Sequence, residues 1–192
     1  MNSLFFYFMI FGVLLFSSCE TDYAPKPRGF FRIDVPEKNY TVIDTLPAYQ
    51  FESPDYAVLS PDEESPWEKN WITINFPEFK GSLHISYKPV DENLAVYLED
   101  MHAMLMKHLP KASAIQDSLI YAPERDVYGL LFSIQGKSVA SPLQFYLTDS
   151  TRHFVRGALY FNIRPNNDSL APVINFLRKD VDHFIESLHW KE

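Results

Sequence analysis

Leu143–Phe161, LQFYLTDSTRHFVRGALYF, is the stretch on which the fold turns. Leu143 to Leu147 and His153 to Phe161 are rich in the aromatic and branched residues that fit a pleated surface. Between them, Thr148-Asp149-Ser150-Thr151-Arg152 has the residue types of a turn, whose short side chains bond nearby amides. Two antiparallel strands are therefore predicted here. Tyr128 to Ile134 reads as a third, and the three form an antiparallel meander.

Working outward, the period changes from two to between three and four. Downstream, Leu170, Val173, Ile174, Leu177, Val181 and Phe184 form a wide apolar stripe that continues to Ile185 and Leu188. Asp168 or Ser169 is placed to cap this closing helix, with Pro172 in its first turn. Upstream, Ile72, Ile74 and Phe76 alternate with polar residues, as do Leu83, Ile85 and Tyr87, across a turn at Lys80-Gly81-Ser82. Leu94, Leu98, Met101 and Leu105 describe one face of another helix, capped by Asp91 and stopped near Leu109 by Pro110. Strands on both sides of a long helix, with a second helix last, predict an α+β domain: an antiparallel sheet flanked by helices. This order of elements resembles the layered sandwich of the PsbP and Mog1 proteins, a likeness of fold that carries no function.

Seven of the 14 prolines precede residue 70, and their fixed φ and missing amide proton exclude long helices and central strands there. The stretch is read as largely extended. Pro25-Lys26-Pro27-Arg28-Gly29-Phe30-Phe31-Arg32-Ile33 is either a spacer or a strand laid along the domain. Docking is favoured, because Phe30, Phe31 and Ile33 are costly to leave in water. Further back, Leu4 to Phe16 is an apolar run too short to span a bilayer but of the length of an export-signal core. It ends in Phe16-Ser17-Ser18-Cys19, which resembles the lipobox of bacterial lipoproteins, although no Lys or Arg precedes it. The expected organisation is an export signal over residues 1–18, an acylated Cys19 and Pro-rich tether over 19–47, and one globular domain over 48–192. Each buried methylene contributes about 0.8 kcal/mol, so palmitate-type chains on Cys19 would hold the protein to the bilayer.

The chain of 192 residues carries 17 Lys plus Arg against 25 Asp plus Glu, a formal charge of -8 that would repel a phosphate backbone. No nucleic-acid partner is expected. A single cysteine excludes an internal disulfide and any site built of several thiolates.

Motifs for chemistry are sparse. Gly136-Lys137-Ser138 lacks the glycine of a phosphate-binding loop, since position 131 is Leu. Asp149, Ser150 and His153 supply the residue types of a hydrolase triad without a nucleophile elbow, so they are read as a hairpin turn or a contact surface. The six histidines show no metal-ligand spacing; neither metal nor cofactor is expected. Arg156 lies on the same side of its strand as Phe154, Ala158 and Tyr160. It either snorkels with a solvated head or contacts an anion or a partner. Asp149, Ser150, His153 and Arg156 are thus candidate partner contacts, and no residue is assigned a catalytic role.

Several segments together resemble the GldD family of gliding-motility lipoproteins. They are Pro25 to Phe30, His84-Ile85-Ser86-Tyr87-Lys88, Glu99-Asp100-Met101-His102, Gln144 to Ser150, His153 to Phe161 and Pro165 to Ser169. The resemblance implies a non-catalytic envelope lipoprotein of a Bacteroidetes-type bacterium, held at the outer membrane with the leaflet open. It also implies support of gliding motility and type IX secretion, with other envelope proteins of those systems as partners. The alternative is a lipoprotein binding a small ligand or glycan, suggested by aromatics such as Trp67, Trp71 and Trp190. A flat aromatic patch would favour the first, a deep pocket with convergent polar groups the second.

Overall fold

The computed structural model describes residues 33–191; the expected export signal, Cys19 and the docking expected of Phe30 and Phe31 lie outside the described residues. In chain order these residues form β1 (Tyr40–Ile43), β2 (Tyr49–Pro54), β3 (Val58–Pro61), β4 (Ile72–Phe76), β5 (Gly81–Pro89), α1 (Leu94–Met106), β6 (Ala114–Ala122), β7 (Val127–Gln135), β8 (Leu143–Thr148), β9 (His153–Phe161), α2 (Asn167–Ser187) and β10 (His189–Trp190). Seven strands pair antiparallel in the order β3-β4-β5-β9-β8-β7-β6, and β1-β2-β10 form a smaller sheet. The predicted meander is the run from β7 through β8 to β9. The fold is α+β, with antiparallel sheets and a helix on each face of the larger one.

Alternation decides which side chains enter the core. Phe145, Leu147, Val155 and Leu159 point to one face of the sheet and are fully buried against the apolar stripe of α2, Leu177, Val181 and Phe184 among it. Gly157 is the register partner of Phe145, and a Cβ there would lie 2.2 Å from the Phe145 ring. The absent side chain gives the ring its seat. Tyr49 and Phe51 of β2 close the same core, Phe51 packing on Phe184 with ring centroids 4.7 Å apart.

One charge interrupts the α2 stripe. Asp180 is 3% exposed and accepts hydrogen bonds from Lys38 Nζ at 2.7 Å, from the Tyr40 hydroxyl at 2.9 Å and from the Tyr56 hydroxyl. Burial, followed by the adjacent carboxylate, holds both phenols well above their ordinary ionisation range, so both stay donors. The Lys38 ammonium also lies 3.6 Å from the centroid of the Phe176 ring. Residues 38–43 are thereby fastened over α2.

Several expectations are corrected. The last part of the expected tether belongs to the domain, whose compact unit begins at Ile33, because Asp180 recruits Lys38 and β1 pairs with β2. A strand does occupy the centre of a sheet before residue 70: β2 lies between β1 and β10, with Pro47 before it and Pro54 at its last position, where a missing amide costs little. The turn before β5 is the 3-10 turn Pro77–Phe79 with Lys80 left-handed, while Gly81 and Ser82 already belong to the strand. Asn93 and Asn166 occupy the N-cap positions in place of Asp91 and of Asp168 or Ser169, and Pro172 is inside α2 beyond its first turn. α1 ends at Met106, and Pro110 sits in a separate 3-10 turn, Leu109–Lys111.

Replacing Asp180 with alanine leaves a part-buried ammonium and two phenols without their shared acceptor. We expect Asp180→Ala to lower unfolding free energy by about 3 kcal/mol, the scale for breaking a buried charge pair. A denaturant titration of the two proteins checks this.

Candidate functional site

The face of the large sheet opposite α2 reads directly from the registers. One row of cross-strand partners runs Leu119, Leu130, Tyr146, Arg156 and Ser86 from β6 to β5. The next runs Tyr121, Tyr128, Thr148, Phe154 and Lys88, and a third runs Asp117, Phe132, Gln144, Ala158, His84 and Thr73. The first two rows change from apolar or aromatic at the β6 end to polar at the β5 end, whereas the third has Asp117 on β6 and Phe132 on β7 before it turns polar. α1 lies across the middle, with Tyr97 on the Phe154 ring at 5.4 Å and Met101 on Arg156. The face is therefore divided in two.

On one side is the β6 edge. Leu119 is 76% and Tyr121 70% exposed, and the Tyr121 ring packs tilted on Tyr128 with centroids 5.6 Å apart. β6 is nine residues long, AIQDSLIYA, with no proline, glycine or lysine and one charge, Asp117. Natural edge strands are ordinarily blunted by such residues. The opposite edge, β3, is only four residues long and ends in Pro61.

On the other side of α1 is a polar groove of about 840 Å³, walled by α1 and by the loop from Asp62 to Ser65. Its floor is the α1-side face of β4, β5 and β9, where Ser82 Oγ donates to Asn75 Oδ1 at 2.9 Å and Thr73 Oγ1 meets His84 Nδ1 at 3.2 Å. Arg156 stands where the two halves meet. It faces the same side as Phe154, Ala158 and Tyr160, as strand alternation predicts, and donates to Met101 Sδ and Gln144 Oε1, each at 3.3 Å.

Asp149, Ser150 and His153 gather in the β8–β9 turn, but Arg156 is on the sheet face beyond them. Asp149 Oδ1 accepts the backbone amides of Thr151, Arg152 and His153 at 3.0, 2.8 and 2.8 Å. Burial raises its pKa, but those amides outweigh burial and hold the carboxyl below its ordinary value. Ser150 is an exposed residue with φ 70°, its amide donating to Thr148 Oγ1. The imidazole of His153 bonds the Tyr87 hydroxyl through Nδ1 at 3.0 Å and stacks on Trp190 with centroids 5.0 Å apart. The carboxylate thus shapes the turn and does not orient the imidazole, so no triad is assembled. Trp190 and Trp71 are half-buried, their indole N–H groups donating to the Asp126 and Tyr87 carbonyls, and only Trp67 of the three expected aromatics is broadly exposed. Among the described residues no three His, Cys, Asp or Glu side chains gather as a metal site, and no helix is long and apolar enough to cross a membrane.

The family profile described as gliding motility lipoprotein GldD matches residues 20–190. No curated protein matches the chain. Among solved structures, it is similar to the solution structure of cyanobacterial PsbP (CyanoP) from Synechocystis sp. PCC 6803. That likeness has 13% identity and a TM-score of 0.48, and covers 84% of this chain and 98% of that one.

Two outcomes follow from the turn. Asp149→Ala is expected to cost about 1–3 kcal/mol, because three amides lose a part-buried acceptor, whereas Ser150→Ala stays within about 0.5 kcal/mol; chemical unfolding measures both. Burial holds the pKa values of His153 and His108 below their ordinary 6.5, with Arg152 adding to this at His153 and Arg156 and Lys111 at His108, while Asp149 opposes it at His153. Their neutral forms thus contribute stability that is present above pH 6.5 and is lost as pH falls through the lower folded values. Melting temperature should decline on acidification below that point, with a shallower slope in His153→Gln.

Proposed function

Because the chain belongs to the family of gliding motility lipoproteins GldD, we propose that it is a non-catalytic component of the cell envelope that holds a partner protein near the outer membrane through its β6 edge. The observation that carries this reading is the unblunted β6 strand, with Leu119 and Tyr121 in water. Exposed apolar patches rimmed by polar groups mark interaction sites. An unpaired strand edge supplies backbone donors and acceptors for an added strand, while alternate side chains supply selectivity. The partner is accordingly a protein offering an extended, weakly charged segment with apolar side chains on one face. Membership of the family makes the envelope proteins of gliding motility and the type IX secretion machinery its natural source.

Anchoring completes the mechanism. The family match begins at the residue after Cys19. Acyl chains on that cysteine confine the domain to a membrane surface, so docking to a membrane-bound partner becomes an encounter at raised effective concentration. Nothing in this role needs a reacting group: Asp149 organises a turn and His153 packs on Trp190. Ser150, at the exposed tip of that turn, is a secondary contact.

The test is a Leu119→Lys, Tyr121→Lys double variant expressed in the native cell beside Cys19→Ala. Both substitutions lie on an exposed edge, so melting should shift little, while gliding and type IX export should fall to the level of the unanchored protein. Full activity of a stable double variant would contradict docking through β6.

A further inference from the structure

The groove beside α1 plays no part in strand docking. Its floor belongs to three central strands, whose side chains there lie on the face that α1 leaves uncovered. Here they are Thr73, Asn75, Ser82, His84 and Tyr160 together with Arg156. The volume of about 840 Å³ is within the span of small-molecule clefts, about 300–1,000 Å³.

Charge identifies what is missing. Lys88 has Asp100 at 4.0 Å and the Tyr97 ring beneath it at 4.8 Å. Arg156 is half-buried, touches a thioether and an amide oxygen at 3.3 Å, and pairs with no carboxylate among the described residues. A guanidinium withdrawn from water without a counter-charge is costly, and its fork matches a carboxylate bidentately. The rim bears Asp62, Glu63, Glu64 and Asp100, which would repel a polyanion while accepting hydrogen bonds from hydroxyl groups. The hydroxyl, amide and imidazole groups of the floor are complementary to a polyol, and Met101, Met104 and Tyr97 offer surface to its C–H faces.

The geometry points to this groove as a binding site for a carboxylated sugar of the hexuronate class, its carboxylate held by Arg156 and its hydroxyls by Asn75, Ser82 and His84. A phosphate-rich ligand is excluded by the rim, and a neutral sugar leaves Arg156 unmet.

The full-length lipoprotein in detergent is titrated calorimetrically with glucuronate, an otherwise neutral oligosaccharide ending in one glucuronate, glucose and acetate. Glucuronate should bind saturably, with glucose and acetate each about tenfold weaker or worse, and Arg156→Gln should weaken glucuronate about tenfold, the scale of one charge-assisted contact. His84→Ala, at an exposed position, should weaken it without altering melting. If Arg156→Gln does not fold, Arg156→Lys, which keeps the charge without the fork, serves with His84→Ala as the test. Tighter binding of the oligosaccharide assigns the site to a uronate at the end of a glycan, and equal binding to the free sugar. Absence of saturable binding by either uronate, equal binding of acetate or glucose, or unchanged affinity in the folded variants overturns the proposal.

Discussion

The burial of the α2 stripe on one face of the seven-stranded sheet is the constraint on which the rest of the structure depends. The helix has 21 residues, and its core-facing side chains, Leu177, Val181 and Phe184, are essentially inaccessible. Filling that layer requires the Phe145 ring, which in turn requires glycine at 157. It also draws Asp180 out of water, and a carboxylate so placed needs charged or hydrogen-bonded partners. Lys38, Tyr40 and Tyr56 meet that need from outside the large sheet's helix layer, which fastens residues 38–43 over α2.

The opposite face is the complement of this arrangement. α1 runs along β9, from Tyr97 on Phe154 to Met101 on Arg156, and is about 10–12 Å wide with its side chains, whereas seven strands at their usual spacing span about 29 Å. It lies over the middle and leaves both flanks uncovered. Where the uncovered residues are polar, a groove results; where they are Leu119, Tyr121 and Tyr128, an apolar edge results. The two surfaces lie on either side of α1, with Arg156 between them.

Legibility in the sequence followed the strength of periodicity. The 143–161 hairpin was readable because Phe145, Leu147, Val155 and Leu159 alternate with residues of the other face, and the side occupied by Arg156 followed from the same rule. α2 was readable from its stripe, but its cap was not, since Asn166, Asp168 and Ser169 are all competent and local hydrogen bonding chooses among them. β6 is not legible as a strand because its Leu119-Ile120-Tyr121 run has no alternation when one face is packed and the other is an exposed apolar surface. β2 carried a usable signal, Tyr49 and Phe51 two apart between Pro47 and Pro54, that the density of prolines obscured. The partnership of Asp180 with Lys38, 142 residues apart, has no local trace. Of the proposed contact residues, Asp149 and Ser150 lie in the β8–β9 turn and His153 opens β9, while the groove, drawn from β4, β5 and β9, is visible only once those strands are adjacent.

The central claim is that the β6 edge is where a second envelope protein docks. A photoreactive residue introduced at Leu119 or Tyr121, and as control at Val58 on the exposed opposite edge, can be activated in living cells and its adducts identified. Adducts from 119 and 121 with a distinct gliding or secretion protein, absent from 58, are the predicted result. No adduct at the β6 positions, or the same adducts from 58, would contradict the account.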